Sequence, residues 1–177
     1  TAYGLVEGDF DRSDGITGDG TSYLDSNRAN DADPQDDRHA SVFATAINTV
    51  NALYLSTTTT LNGTGDSYLY GNFDGSINTA KLSGVGTPAN FSGTDLVAGF
   101  YGVSRNNAAN LICRRQAANI TVTQASATPV SEGVNVFGTT GFYSDATLAF
   151  YSIGTSLDLA KLDTHISSYV TAIGAAI

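Results

Sequence analysis

The sequence predicts an all-β fold, an antiparallel sandwich of two sheets that carries one amphipathic helix near its C-terminal end. Hydrophobic residues make up 41% of the 177 residues, but charged residues only 14%, so Thr, Ser, Asn and Gly supply much of the polarity. Such residues favour turns and the solvent-facing sides of strands. Alternating strand-like segments fill most of the chain, and only its last segment has a helical period. We expect one domain over residues 1–177, which is compatible with a fragment of a longer chain.

The N-terminal part of the chain is acidic and is expected to be irregular. Ten of the seventeen acidic residues lie between Glu7 and Asp37. The segment 25–37 contains almost no apolar side chain, and it therefore cannot supply a face to a hydrophobic core. We expect it to form a long surface loop.

Strands are predicted from residue 40 onward, where apolar and polar residues alternate between Gly, Asn, Asp or Pro boundaries. Their spacing of roughly 8–12 residues is typical of an antiparallel meander or sandwich. The predicted strands cover residues 40–45, 68–73, 96–104, 111–114, 120–123, 134–137 and 146–153.

One helix is predicted over about residues 157–175. The apolar residues of this segment recur at intervals of three and four, which places them on one stripe, whereas Asp158, Lys161 and Asp163 lie off it. Ser156 or Asp158 can cap its N-terminus. We expect the helix to lie against the sandwich, and docking of a neighbouring subunit is the alternative. The stripe consists of Leu159, Leu162, Ile166, Tyr169 or Val170, Ile173 and Ile177.

The charge of the chain excludes several classes of partner. A net charge of −9 and an isoelectric point near 4.3 lack the basic surface needed to bind nucleic acid or an anionic membrane. No apolar run approaches the roughly 20 residues of a membrane span, so we expect no membrane insertion. The chain contains no methionine, which suggests a processed product or a piece of a longer polypeptide.

Four segments resemble laminin-G-like, concanavalin A-like jelly-roll domains of tailed-bacteriophage structural and fibre proteins. They are residues 15–28, Ala-Asp-Pro-Gln-Asp-Asp-Arg-His at 32–39, Gly-Phe-Tyr-Gly-Val-Ser-Arg at 99–105, and Ala-Phe-Tyr-Ser-Ile-Gly at 149–154. The resemblance implies a jelly-roll sandwich and a non-enzymatic module on the virion surface, in a tail fibre or as capsid decoration. Its expected role is host attachment through a surface glycan, or virion structure alone. The implied partners are other virion proteins, and a homo-oligomer is compatible with this role.

An enzyme is the alternative interpretation. On a strand, Glu7, Asp9 and Asp11 would point the same way, as the carboxylates of some jelly-roll glycosidases do. Cleavage of a polysaccharide would then use one carboxylate as nucleophile and another as acid. The chain lacks tryptophan as a platform for sugar rings, and we therefore expect no catalytic site.

Calcium is the metal that the acidic segments suit, although the interpretation requires no cofactor. Calcium takes six to eight oxygen ligands, which Asp9, Asp11 and Asp14, or the segment 25–37, could supply. Neither segment matches an EF-hand loop, because neither has glycine at the sixth position. Laminin-G-like domains often bind calcium at a loop rim, so the resemblance implies the same here.

A ligand site is predicted at one rim of the sandwich, in the loops 104–110 and 142–145. Tyr143 offers an aromatic face on which a sugar can stack, and the other predicted residues offer hydrogen-bond donors and acceptors. The predicted binding residues are Arg105, Asn106, Asn107, Tyr143 and Asp145.

Overall fold

The computed structural model describes residues 1–47, 52–57, 61, 63–73, 77–91, 97–139 and 141–176. Within these ranges the chain forms antiparallel strands and one C-terminal helix, which confirms the predicted all-β jelly-roll sandwich. The elements are β1 (Ala2–Tyr3), β2 (Phe10–Asp11), β3 (Gly15–Thr17), β4 (Tyr23–Ala29), β5 (Arg38–Ala46), β6 (Ala52–Thr57), β7 (Ser67–Phe73), β8 (Ile77–Leu82), β9 (Ala89–Asn90), β10 (Gly99–Arg105), β11 (Asn110–Arg115), β12 (Ala118–Thr123), β13 (Gly133–Val136), β14 (Gly138–Thr139), β15 (Phe142–Tyr143), β16 (Thr147–Gly154) and α1 (Leu159–Ala176).

Two seven-stranded sheets enclose the main hydrophobic core. The front sheet has the order β1-β4-β13-β6-β7-β8-β9, and the back sheet has the order β12-β11-β10-β5-β16-β3-β2. A separate two-stranded hairpin is formed by β14 and β15. Alternate residues of the strands from both sheets meet in the core, as a sandwich requires. The largest fully buried apolar side chains of this core are Tyr54, Leu55, Leu69, Leu82, Phe91, Tyr101, Leu111 and Phe137.

Most predicted strands are confirmed, within a few residues, by β5, β7, β10, β11, β12, β13 and β16. The predicted strand at 96–104 begins only at Gly99, and residue 96 lies outside the described residues. The sequence did not predict β6, which lacks clean alternation because a bulge interrupts its pairing with β7 between Leu53 and Leu55. Leu55 packs in the main core, whereas Leu53 packs in a second cluster with Tyr68 and Tyr70.

The expectation of a surface loop over residues 25–37 holds for the irregular residues 33–37, of which Pro34 and Asp37 are exposed, but it is wrong for residues 25–32. Strand β4 continues to Ala29, and a 3₁₀ turn follows at Asn30–Ala32. Polar side chains in this segment form hydrogen bonds and an ion pair with other protein groups instead of contacting water. Asn30 is fully buried, and its carboxamide donates to the carbonyl oxygens of Gly65 and Val130. Arg28 forms an ion pair of 2.6 Å with Asp33.

Helix α1 lies on the outer face of the back sheet, as predicted. Asp158 caps it, since its Oδ1 accepts hydrogen bonds from the amides of Ala160 and Lys161. Leu159 is buried against the β10 backbone, where a Cβ added to Gly102 would lie 3.1 Å from its Cδ2 atom.

The helix turns most of the predicted stripe toward the sheet, since Leu159 is buried and Leu162, Ile166, Val170 and Ile173 are half-buried. Asp163 was expected off the stripe, but it is buried and pairs with Arg114 of β11, with Nε and Oδ2 2.8 Å apart. Tyr169 is 64% exposed, and Ile177 lies outside the described residues. No helix in the described part of the chain is both long and apolar enough to cross a membrane.

Candidate functional site

A pocket of about 460 Å³ opens on the outer face of the front sheet, where β1, β4 and β13 lie beside the β14–β15 hairpin. Its lining points away from the core, because Asp25 and Asn135 alternate with the core-facing Leu24 and Val136. We call it the tyrosine pocket. Its lining residues are Tyr3, Tyr23, Asp25, Gly133, Asn135, Thr139 and Tyr143.

Two tyrosines form a stacked pair at one side of the pocket. Tyr3 of β1 lies directly opposite Tyr23 of β4, and their rings stack with centroids 4.6 Å apart and planes 14° from parallel. Cross-strand aromatic pairs of this kind stabilise a sheet edge. The edge is also held by hydrogen bonds between Thr1 and the backbone of Asp25. Burial raises the pKa of the Tyr23 phenol, and the neighbouring Tyr3, Tyr143 and Asp25 raise it further. These four side chains are therefore close enough to interact electrostatically.

Asn135 lies between Asp25 of β4 and Ser56 of β6 in the sheet register. It is only 6% exposed. The hydroxyl of the neighbouring Ser56 is buried and has no hydrogen-bond partner among the described residues. The carboxamide of Asn135 presents one acceptor and two donors at the pocket wall.

Tyr143 reaches the pocket from the β14–β15 hairpin. Gly138 pairs with Tyr143 in this hairpin and has a φ of +138°, a conformation that L side chains rarely adopt. A Cβ at Gly138 would also lie 2.2 Å from the carbonyl oxygen of Phe142. The hairpin is joined to its base by a hydrogen bond of 2.8 Å from the Ser144 amide to the Phe137 carbonyl. Glycine at position 138 is thus required for the turn that presents Tyr143.

The structure does not bring the predicted rim residues together. Tyr143 lines the tyrosine pocket, and Asp145 follows it in a half-buried position. Arg105 is fully buried, and its guanidinium donates to the carbonyl oxygens of Leu82 and Gln124. Its charge is therefore not presented to a ligand at the surface.

Asn106 and Asn107 lie in the β10–β11 turn and are exposed. The Oδ1 atom of Asn107 accepts hydrogen bonds from the amides of Ala109 and Asn110, which shapes the turn. Asn106 lines a separate cavity of about 280 Å³ beside the first residues of α1. Neither asparagine lines the tyrosine pocket.

The expectation of a single strand that aligns Glu7, Asp9 and Asp11 is wrong. Glu7–Asp9 form a 3₁₀ turn, and β2 begins only at Phe10. The carboxylates bind their own backbone: Asp9 accepts from the Val6 amide at 2.7 Å, and Asp11 accepts from the Ser13 amide at 2.7 Å. The hydrogen bonds from Ser13 lower the pKa of the Asp11 carboxyl.

Calcium binding at Asp9, Asp11 and Asp14 stays a prediction. Within the described ranges, no three His, Cys, Asp or Glu side chains are grouped so that they could hold a metal ion.

Of the seven residues that line the tyrosine pocket, only Tyr143 was predicted as a binding residue, and six were missed: Tyr3, Tyr23, Asp25, Gly133, Asn135 and Thr139. For Asn135 a signal existed. The predicted strand at 134–137 alternates, and placing Val134 and Val136 in the core puts Asn135 on the outer face. For Tyr3 the signal was weak, because the two-residue edge strand β1 leaves no periodicity to detect.

No protein-family model matches the sequence, and no curated protein matches it. Solved structures share the fold. The chain is similar to the Ruminococcus gnavus IT-sialidase CBM40 bound to α2,3 sialyllactose, with a TM-score of 0.55 and 13% identity over 84% of this chain and 92% of that chain. It is also similar to the same CBM40 without a named ligand, with a TM-score of 0.53 and 14% identity over 84% and 93% of the two chains. This likeness is one of fold.

Proposed function

We propose that this chain is a non-catalytic carbohydrate-binding module that holds a glycan in the tyrosine pocket. The observation that carries the proposal is the combination of three tyrosines with the carboxamide of Asn135 in one cavity on the outer face of the sheet. Sugars present C–H faces that stack on aromatic rings and hydroxyl groups that need donors and acceptors. The pocket offers both.

The size and depth of the pocket support a small part of a glycan as the ligand. A volume of about 460 Å³ lies within the usual range of small-molecule sites. The similar CBM40 structures belong to a carbohydrate-binding class by their printed names, and this fold likeness agrees with the proposal.

The non-catalytic part of the proposal rests on the carboxylates. Hydrolysis of a glycosidic bond normally needs two of them on either side of the bond. Asp25 is the one carboxylate among the described residues that line the tyrosine pocket. In the alternative site, Asp9 and Asp11 are bound to adjacent backbone amides.

We further propose that the module is displayed on a phage virion surface, in a tail fibre or as capsid decoration, beside other virion proteins. Attachment to a host surface glycan would then be its task. This location rests on the resemblance of residues 15–28, 32–39, 99–105 and 149–154 to phage jelly-roll domains. Antibodies against the chain should label intact particles in electron micrographs. Particles that stay unlabelled would contradict the location without affecting the glycan site.

The glycan site is tested by Tyr143→Ala in a binding assay on immobilised glycans. Loss of one stacking ring should weaken binding about fivefold, since aromatic contacts contribute roughly 1 kcal/mol. Tyr151→Ala is the matched control, because Tyr151 is 38% exposed on β16 and does not line the pocket. It should change binding less than twofold. Unchanged binding by a folded Tyr143→Ala protein would place the glycan elsewhere.

A further inference from the structure

The side chains of the tyrosine pocket indicate which class of glycan it can bind. This inference rests on the proposed function. We infer that the pocket selects neutral glycans and rejects acidic ones, including sialylated and sulfated sugars. The similar CBM40 structure has an acidic sugar as its named ligand, but at 13% identity only the fold is shared.

The pocket contains a fixed negative charge. Asp25 is half-buried on β4 and lines the cavity next to Asn135. Its Oδ1 accepts a hydrogen bond of 2.8 Å from the Asn27 amide, which holds the carboxylate in place. A carboxylate or sulfate on the ligand would face this group at short range, and like charges in a partly desolvated site cost affinity.

No side chain among the described residues that line the pocket can compensate that repulsion. Among the described residues, no lysine, arginine or histidine lines the cavity. Arg28, which also lies on β4, is bound to Asp33 through two hydrogen bonds of 2.6 and 3.3 Å. Recognition of an acidic sugar usually relies on such a bidentate arginine, and the Nε and Nη2 atoms of Arg28 already bind Asp33.

The remaining polar groups suit hydroxyl and acetamido groups. Asn135 and the tyrosine hydroxyls are neutral donors and acceptors, and the Asp25 carboxylate accepts from a sugar hydroxyl. The net charge of −9 acts in the same direction over a longer range, because it lowers the local concentration of anionic ligands.

The test is a panel of immobilised oligosaccharides in matched pairs, each neutral glycan beside its sialylated or sulfated counterpart, bound by the full chain. At least one neutral glycan should bind, and its acidic counterpart should bind tenfold or more weakly. Equal or tighter binding of the acidic members would overturn the inference and leave the proposed glycan site intact. If no member binds, the proposed function fails and this inference with it.

Two variants, each of which removes one negative charge, test whether Asp25 causes the weaker binding of acidic glycans. Asp25→Asn keeps an Oδ1 acceptor for the Asn27 amide and removes the charge, so the ratio of acidic to neutral binding should rise about tenfold. Asp37→Asn removes the same charge at an exposed position where Oδ1 accepts from Ser156, outside the pocket. It should leave the ratio unchanged. The role of Asp25 would be overturned if both variants changed the ratio of acidic to neutral binding equally. It would also be overturned if Asp25→Asn left this ratio and the melting temperature unchanged.

Discussion

At the scale of single residues, His39 shows how burial fixes a protonation state. Its side chain lies on β5 and is 4% exposed. The Nδ1–H group donates to the carbonyl oxygen of Thr155 at 2.6 Å, which leaves Nε2 to accept from the Ser152 hydroxyl at 2.7 Å. Both contacts suit the neutral ring. Burial lowers the pKa of His39 below its ordinary value of 6.5, although the bond to Thr155 opposes this.

This lowered pKa predicts that the protein loses stability as the pH falls below about 6.5. The unfolded chain takes up a proton there, whereas folded His39 stays neutral until the pH reaches its lower folded pKa. The free energy of unfolding should fall by up to about 1 kcal/mol between pH 7.5 and 5.5. Guanidinium denaturation at the two pH values measures the difference.

His39→Gln should remove most of this pH dependence. His165→Gln is the matched control, since His165 is exposed on α1, and it should retain the dependence. If His39→Gln retained the full difference, another group would be responsible.

The site residues divide into those that the sequence could reveal and those that it could not. Tyr143 was found because an aromatic residue among Gly, Ser and Asp indicates a binding loop. Arg105 was placed at the same rim because an arginine after a strand is usually solvated. The structure buries it among carbonyl oxygens of distant segments, Leu82 and Gln124, and no local pattern predicts such partners.

At the scale of elements, a buried ion pair holds α1 on the back sheet. Asp163 Oδ2 accepts from Arg114 Nε at 2.8 Å, and Ser167 donates to its other oxygen at 3.0 Å. Arg114 also donates to Asn119 of β12 at 2.8 Å. Both charged side chains are almost completely buried, so removing one leaves the other without compensation.

We therefore predict that Asp163→Ala lowers the free energy of unfolding by about 3 kcal/mol. Lys161→Ala is the control on the same helix, because its ion pair with Asp158 spans 3.6 Å and is solvent-exposed. It should change stability by less than about 0.5 kcal/mol. Urea denaturation followed by circular dichroism compares the two. A loss below 1 kcal/mol for Asp163→Ala would show that α1 does not depend on this pair.

The elements themselves were predictable where one face of a strand is apolar and the other is polar. This holds for β5, in which Ala40, Val42 and Ala44 are core residues. It fails where polar side chains are buried. Asn30 in the turn after β4 has polar partners that only the tertiary fold supplies, so its segment looked like a loop. It also fails at the β6 bulge, which shifts the alternation by one residue.

At the scale of the whole molecule, the acidic net charge and the neutral groups of the tyrosine pocket act over different distances. The net charge of −9 repels anionic molecules at long range. The tyrosine pocket, by contrast, contains one acid among aromatic and amide groups. In the proposed function, long-range charge would select which ligands approach, and short-range stacking and hydrogen bonds would hold the ligand once it has entered.

This separation predicts how salt affects binding. A neutral glycan has no net charge to be attracted or repelled, so raising NaCl from 50 to 500 mM should change its Kd less than twofold. For the acidic counterpart of the same glycan, salt screens the repulsion from Asp25 and from the remaining surface, and its weak binding should strengthen several-fold. Isothermal titration calorimetry at the two salt concentrations measures both. A neutral glycan that bound several-fold more weakly in high salt would require an ionic contact in its complex, which the described residues of the pocket do not provide.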